Sequence, residues 1–309
     1  MAAGGTTVLV YRHLSLHLSG VVYPKRRDFL IILGLRAHAF SCYTNPRDLQ
    51  ISWLTYNQRM PAQLDSRKSP RIFCHRGSGQ SAPENTLAGI QWSRNLGFFG
   101  IHLDVRFTAD GVPVLMCDPT LNRTAQTHGI VSETFFDQMN TLDVGIWFGN
   151  EFSGERIPTL FQALKVCQEL NIYPIFQLKP EMGQEIALAE TVVEIFKNSW
   201  DAGENYPIIA TSNFDCLETL MRSSHDIPRA IVWDSELNEK NIKNQNLTCS
   251  SVLINEKLIN PDVVARIHSH MLHVIALRVN DSERALDLVY QGADAIITDD
   301  LDGIGPNFF

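Results

Sequence analysis

From Arg71 to the C-terminus, short apolar runs alternate with longer stretches whose apolar residues recur with helical spacing. The short runs are rich in valine and isoleucine, which favour strands, and the longer stretches have the period of amphipathic helices. This alternation predicts βα units around a parallel sheet. The predicted strands are 71–75, 100–107, 112–117, 172–179, 207–212, 229–233, 251–255, 274–279 and 294–298, and helical spacing is clearest in 85–97, 159–171, 185–200 and 282–292.

Nine predicted strands exceed by one the number in a closed (β/α)8 barrel. The TADG segment at 108–111 is too short for a helical crossover, so the runs on either side of it are predicted to pair as antiparallel neighbours. The remaining eight strands fit a parallel barrel. Because no second domain boundary is evident after Met60, we predict one α/β domain with the TIM (β/α)8 barrel fold over residues 60–309.

The first 59 residues differ from the barrel region in charge. They hold seven Lys and Arg residues and two acids, a formal charge of +5, and since the whole chain carries −8, residues 60–309 carry −13. We expect 1–59 to be a basic extension outside the barrel, either disordered or translated upstream of a start at Met60. An organelle transit peptide is a second hypothesis, because the segment is arginine-bearing and poor in acids. Its apolar run at 29–35 is shorter than the roughly 20 residues that span a bilayer, so no stable membrane insertion is expected.

Composition narrows the classes of partner and compartment. An acidic body repels the phosphate backbone, so nucleic-acid binding is not expected, whereas a small phosphorylated molecule needs only a local pocket. The chain has six cysteines and no CxxC pair. This pattern is typical of a reducing compartment, and a cytoplasmic location is the default expectation. The sequence does not indicate an oligomeric state.

The candidate chemistry lies at strand ends, because TIM-barrel sites are built where strands end and βα loops begin. The most specific stretch is HRGSGQSAPENT at 75–86. Its histidine can exchange a proton near neutral pH, and its arginine offers a planar fork to phosphate oxygens. Pro83 and the polar residues after it are typical of a helix entry. Polar residues at other strand ends are Asp104, Asp118, Lys179, Ser212, Asn255 and Arg278.

Five segments, in order, resemble the glycerophosphodiester phosphodiesterase family: HRG with APENT, LDVRFTADGVPVLMCDPTLNRTA, GERIPTLFQAL, LKP and ITDDLDGIGPNF. The likeness is to the compact bacterial-type members and covers about 71–308. It implies a phosphodiesterase-type TIM barrel, in agreement with the strand count. It also implies metal-dependent hydrolysis of glycerophosphodiesters, which are small molecules of lipid and glycerol metabolism, to glycerol 3-phosphate and an alcohol. The metal expected from the family is Mg²⁺ or Ca²⁺.

The resemblance assigns roles to individual residues. His75 matches the family's first catalytic histidine, and Arg76 matches its phosphate-binding arginine. Asp104 matches a metal-binding acid, and Lys179 matches the lysine that follows the acid of the fourth barrel strand. Glu84, Asn85 and Asp118 are expected to support the site, and Arg278, at the barrel mouth, is a candidate substrate-binding residue.

Three positions depart from the family pattern. His102 and Gln177 stand where the family has metal-binding glutamates, and Cys117 stands where it has a second catalytic histidine. With His102 neutral, the formal charge at the three metal positions falls from −3 to −1, and a hard cation should bind less tightly. The softer ligands His102 and Cys117, with Asp104 or Asp118, would instead favour Zn²⁺. Mn²⁺ is the other metal expected as an alternative.

These substitutions leave three hypotheses open. The chain is an active phosphodiesterase with an altered site, a catalytically impaired member that binds phosphodiesters or serves as a scaffold, or a retuned metal-dependent enzyme acting on a lipid phosphodiester. Loss of a general acid typically costs 10²–10⁴ in rate. The phosphate-holding residues survive better than the metal-holding ones, which favours an impaired site. No membrane-docking loop is evident in the sequence, so the lipid hypothesis ranks third.

Overall fold

Nine strands and seven helices form the described part of the computed structural model, which covers residues 69–200, 207–234 and 249–309. The strands are β1 Ile72–Cys74, β2 Gly100–Phe107, β3 Pro113–Leu115, β4 Tyr173–Leu178, β5 Ile208–Thr211, β6 Arg229–Trp233, β7 Ser251–Asn255, β8 His273–Leu277 and β9 Ala295–Thr298. The helices are α1 Leu87–Asn95, α2 Phe136–Met139, α3 Leu160–Glu169, α4 Glu185–Ser199, α5 Phe214–Ser223, α6 Pro261–Ser269 and α7 Ser282–Tyr290. Four short 3₁₀ turns are His75–Gly77, Val131–Glu133, Asn150–Phe152 and Glu256–Leu258.

The parallel strands close into a barrel through β1. Its residue Cys74 lies opposite Thr298 of β9 on one side and opposite Ile101 of β2 on the other. From β2 the parallel pairing continues through β4, β5, β6, β7 and β8 to β9, so the barrel contains eight strands. The predicted TIM barrel is confirmed.

The ninth strand, β3, lies outside the barrel. It pairs antiparallel with the end of β2, with Leu115 opposite Val105 and Pro113 opposite Phe107. Thr108 fixes the turn between them, because its hydroxyl donates to Asp110 at 2.6 Å and accepts from the Val112 amide at 2.9 Å. The predicted antiparallel pair is confirmed, and it returns the chain to the carboxyl end of β2.

Alternation along β2 divides its side chains between the interior of the barrel and the layer under the helices. Ile101, Leu103 and Val105 belong to the hydrophobic cluster that packs against the helices. The residues between them, His102 and Asp104, therefore point into the barrel. Both are almost fully buried. The lower interior is filled by apolar residues: Phe73, Tyr173, Ile175, Ile208, Ala210, Ala230, Val232, Leu253, Ile275, Leu277, Ala295 and Ile297.

Some sequence predictions concern residues that the structure does not describe. The basic extension at 1–59, the transit-peptide hypothesis and the alternative start at Met60 all lie there and stay predictions. Within the described ranges, no helix is long and apolar enough to cross a membrane.

Candidate functional site

His75 and Arg76 lie at the carboxyl end of β1, in the turn of His75–Gly77. His75 Nδ1 is 2.7 Å from Asp299 Oδ1, which follows β9. Asn280 holds Asp299 from two sides: its side-chain amide donates to Oδ2 at 3.1 Å, and its carbonyl oxygen accepts from the Asp299 backbone at 2.8 Å. Burial would raise the pKa of Asp299, but the hydrogen bond and charge of His75 keep it below its ordinary value. With Nδ1 bound to a carboxylate, Nε2 is the nitrogen left to exchange a proton with a ligand.

The segment before α1 joins this turn to β2. Asn85 adopts a left-handed backbone, with φ of 55°. Its side-chain oxygen accepts from the Asp104 amide at 2.9 Å, and its nitrogen donates to Asp104 Oδ2 at 3.3 Å. Thr86 then caps the helix by accepting from the Gly89 amide. The predicted helical stretch therefore starts at Leu87 and not at Asn85, because the Thr86 side chain caps the helix and the Asn85 side chain bonds to Asp104 instead.

Asp104 is the most enclosed acid of the site. Its side chain is 1% exposed, and its Oδ1 lies 2.8 Å from Lys179 Nζ at the end of β4. Its Oδ2 lies 3.5 Å from Arg76 Nε, a nitrogen that has no hydrogen-bond partner among the described residues. Burial would raise the pKa of Asp104, but the charges of Lys179, His102 and Arg76 together outweigh it and hold the pKa well below its usual range. The carboxylate is therefore ionised and already paired with cations.

His102 and Gln177 form a neutral pair beside Asp104. His102 Nε2 lies 2.9 Å from Gln177 Oε1, and the histidine ring centroid is 5.3 Å from that of His75. Burial lowers the pKa of His102 to about 4 against the opposing charge of Asp104, so the ring is neutral at pH 7. Because Gln177 Oε1 is an acceptor, we assign the proton to Nε2. His102 Nδ1 has no partner in the described part of the chain.

Cys117 and Asp118 lie where β3 brings the chain back to the site. The Lys179 ammonium donates to Cys117 Sγ at 3.2 Å. Burial raises the pKa of the Cys117 thiol to about 11, so it stays protonated near neutral pH. Asp118 Oδ2 accepts from Arg123 at 2.7 Å. The predicted position of the second acid/base group is therefore filled by a thiol bound to lysine.

Glu84 is neutralised by two arginines. Its carboxylate accepts from Arg76 at 3.1 and 3.2 Å and from both terminal nitrogens of Arg123 at 2.7 Å. These contacts orient the Arg76 guanidinium across the end of β1. Sequence reasoning missed Arg123, although it stands five residues after Asp118 in the motif that carries the resemblance.

A cavity of about 400 Å³ opens at this end of the barrel, lined by His75, Arg76, Arg278, Asp299, Trp147 and Phe148 among others. Arg278 adopts a left-handed backbone, with φ of 59°, and pairs with Asp234 at the end of β6. Sequence reasoning missed Asp299, which it quoted only within a motif, and it missed Asn280, Trp147 and Phe148. The signal for the aromatic pair was the run GIWFGNEF, in which three of eight residues are aromatic.

These residues do not fit a site for a hard divalent cation. In the described ranges, no group of three or more His, Cys, Asp and Glu side chains is placed to hold a metal. Lys179 and Asn85 take the oxygens of Asp104, and His102 takes the Gln177 oxygen. Mg²⁺ and Ca²⁺ need several oxygen ligands, preferably anionic, whereas this position offers one carboxylate with its charge already paired.

Comparison with known proteins agrees with the barrel fold. The model of the glycerophosphoryl diester phosphodiesterase family matches residues 75–303. A glycerophosphodiester phosphodiesterase of Caldanaerobacter subterraneus is 27% identical over 74% of this chain and 93% of its own. Mouse glycerophosphodiester phosphodiesterase 1 is 41% identical over a shorter part, 38% of this chain and 36% of its own. The structure of an Oleispira antarctica phosphodiesterase with its product sn-glycerol-3-phosphate is 29% identical, with a TM-score of 0.71 over 75% of this chain and 93% of that one. The chain belongs to the glycerophosphoryl diester phosphodiesterase family.

Proposed function

We propose that the barrel binds a small glycerophosphodiester at its mouth and hydrolyses it slowly or not at all, because its metal and second acid/base positions are altered. The observation that carries the proposal is the pairing of Asp104 with Lys179 at 2.8 Å, beside the neutral His102–Gln177 pair. At the position that would hold a dication, the Lys179 ammonium group neutralises the charge of Asp104.

Recognition of an anion is supported by cations that keep donors available. Arg76 Nε is buried and makes no hydrogen bond to the described residues, and an unpaired buried donor favours an incoming acceptor. Lys179 carries three N–H donors, two of which reach Asp104 and Cys117. The product complex of the Oleispira relative supports a ligand of the glycerol phosphate class.

Turnover needs more than recognition. The His75–Asp299 pair can still exchange one proton with a bound ligand. The opposite position offers only Cys117, whose thiol is held by Lys179 and has its pKa raised by burial to about 11. Without a second efficient proton donor, we expect a rate loss of roughly 10²–10⁴.

Binding and turnover are tested separately on the full chain. Calorimetry with glycerol 3-phosphate and glycerophosphocholine should show binding, and Lys179→Met should weaken it about tenfold or more, since a charge-assisted hydrogen bond contributes about 1.5–3 kcal/mol. Lys165→Met is the matched control, because Lys165 is an exposed residue of α3. Absence of binding to both compounds would contradict the proposal.

Turnover is measured as release of glycerol 3-phosphate with Mg²⁺, Ca²⁺, Mn²⁺ and Zn²⁺. The natural chain is compared with the triple variant His102→Glu, Cys117→His, Gln177→Glu, which restores the family residues, and with Cys117→His alone. We expect metal-stimulated turnover only in the triple variant. Equal turnover in the natural chain would refute the impaired site, and a preference for Zn²⁺ would instead support a retuned metal centre.

A further inference from the structure

A second cavity, also of about 400 Å³, opens at the amino end of the barrel, opposite the candidate site. It lies where β1, β5, β8 and β9 begin, and three ionisable side chains line it: Arg71, His273 and Asp294. Its apolar lining includes residues of the cluster inside the barrel, namely Phe73, Ile208, Ile275 and Ala295. We call it the amino-end cavity. A few polar groups beside an apolar floor are typical of a site for a small molecule.

The acid of the amino-end cavity is already engaged by donors of the protein. Asp294 Oδ2 lies 2.9 Å from His268 Nε2 and accepts from the Val274 amide at 2.7 Å. Its Oδ1 lies 3.7 Å from His273 Nδ1. Burial would raise the pKa of Asp294, but the contacts with these donors, His273 first, lower it to about 2. The carboxylate is therefore ionised, and its cluster with the two histidines is not placed to hold a metal ion.

Arg71 is the cation of this cavity whose donors stay available. Its guanidinium carbon lies 4.1 Å from the centroid of the Phe309 ring, so the planar group is held against an aromatic face. Among the described residues, its side chain makes no ion pair and no hydrogen bond. A guanidinium keeps its N–H donors in its own plane, where they can meet a carboxylate with two parallel hydrogen bonds. Because Arg71 is exposed, a ligand displaces only water from it.

Charge and shape together select the class of ligand. A cation would face Arg71 and would find Asp294 Oδ2 already taken. A ligand with several negative charges would be repelled by Asp294, since one arginine offsets only one charge. A single carboxylate fits Arg71, and an apolar body attached to it would cover Ile208 and Ile275, whose burial favours binding.

We propose that the amino-end cavity binds a small monocarboxylate with an apolar body, its carboxylate on Arg71 and its hydrocarbon part on Phe73, Ile208 and Ile275. The ligand class is that of short fatty acids and arylalkyl carboxylates. The site is separate from that of the proposed function, because the two cavities lie at opposite ends of the barrel and share none of their described lining residues. It adds a second binding function that does not depend on phosphodiester binding.

The test compares four small ligands that differ in charge or length, on the full chain at neutral pH. Affinities for hexanoate, hexanamide, hexylamine and acetate are measured by ligand-detected NMR titration. Hexanoate should bind about tenfold more tightly than hexanamide, because hydrogen bonds between charged groups contribute more than those of a neutral amide. It should also bind about tenfold more tightly than acetate, which lacks the methylenes that cover the apolar floor. Hexylamine should not bind. In Arg71→Gln, the hexanoate affinity should fall about tenfold, to that of hexanamide.

Arg94→Gln is the matched control, because Arg94 lies 4.3 Å from the centroid of the Phe99 ring and does not line the cavity. It should keep the full affinity for hexanoate. Lys179→Met should keep it too, since Lys179 follows β4 at the opposite end of the barrel. If Arg71→Gln fails to fold, the comparison of hexanoate with hexanamide on the natural chain still decides.

Three results would overturn the amino-end site directly. They are hexanamide or hexylamine binding as tightly as hexanoate, an unchanged hexanoate affinity in Arg71→Gln, and no hexanoate binding up to about 10 mM. Loss of hexanoate binding in Lys179→Met would overturn it as well, because the ligand would then occupy the mouth of the barrel. None of these results bears on the binding of glycerol 3-phosphate, so the proposed function stands or falls by its own test.

Discussion

At the scale of single residues, His102 is a buried histidine whose protonation differs between the native and the unfolded state. The ring is 1% exposed, and burial lowers its pKa to about 4 despite the nearby Asp104 carboxylate. In the unfolded chain, the imidazole of His102 has the ordinary histidine pKa of roughly 6.5. As the pH falls, His102 is therefore protonated at a lower pH in the native state than in the unfolded state.

This difference predicts a pH dependence of stability. The contribution of His102 is fully present above about pH 6.5 and is lost as the pH falls towards 4, which amounts to about 2 kcal/mol between pH 7 and pH 5. Urea unfolding at the two pH values measures it, with His102→Gln as the comparison. We expect the free energy of unfolding to fall by about 2 kcal/mol less in the variant than in the natural chain between pH 7 and pH 5. An identical loss in both proteins would show that His102 is not buried as a neutral ring.

Residue types predicted part of the site. His75, Arg76, Asp104 and Lys179 could be expected to meet, because each ends a parallel strand of one barrel. The partners of Glu84 could not be predicted, since pairing with Arg76 and Arg123 depends on how two loops cross. The direction of the Arg278 side chain could not be predicted either, because it depends on a left-handed backbone conformation that is uncommon for arginine.

At the scale of elements, α1 begins where it does because of its cap. The Thr86 hydroxyl donates to the Pro83 carbonyl and accepts from the Gly89 amide, and its side chain is fully buried. Glu84 and Asn85 stand immediately before this cap and contact Arg76 and Asp104. The start of the helix therefore positions the polar groups of the site.

Thr86→Ala should affect both stability and ligand binding. Loss of an N-cap costs about 1–2 kcal/mol, and the freed segment should also weaken binding of glycerol 3-phosphate, because Glu84 no longer orients Arg76. Asp281→Ala is the matched control, since Asp281 caps α7 and does not line the cavity. Urea unfolding should show a similar loss for both variants, and calorimetry should show weaker binding only for Thr86→Ala. Equal affinities in the two variants would refute a link between the cap and the site.

The elements themselves were largely predictable, because periods of 2 and 3.6 residues are imposed by backbone geometry. Every predicted strand overlaps an observed one, and the short TADG turn was enough to identify the antiparallel pair. The ends were less predictable. Asn85 has polar character suited to a helix start, but its side chain bonds to β2 and the helix begins two residues later.

At the scale of the whole molecule, the pairing of Asp104 with Lys179 predicts that divalent metals hardly change the melting temperature. A metal would have to displace Lys179 from Asp104, and it would find a neutral histidine and glutamine beside it. Mg²⁺ or Ca²⁺, compared with EDTA, should shift the melting temperature of the natural chain by less than about 1 °C. The triple variant that restores two glutamates and a histidine should melt about 5 °C or more higher when metal is saturating.

Thermal unfolding followed by circular dichroism measures both proteins under the same salt conditions. A metal-dependent rise in the melting temperature of the natural chain that EDTA reverses would show that the site accepts a cation after all.

The family sequence pattern predicted the barrel as a whole, because eight strands with their crossovers leave few alternatives. It could not predict which charges neutralise one another in the interior, since that depends on distances.

Closure of the barrel through β1 also governs when the site can exist. His75 and Asp299 are separated by 224 positions, and they meet because β1, which pairs with β2, also pairs with β9. On the ribosome, His75 is made with the first strand of the barrel, while Asp299 follows the last strand. A truncated product would lack the acid that orients His75 and the strand that closes the ring. Ligand binding in a cell is thus expected only of chains whose synthesis has passed the last strand of the barrel and Asp299.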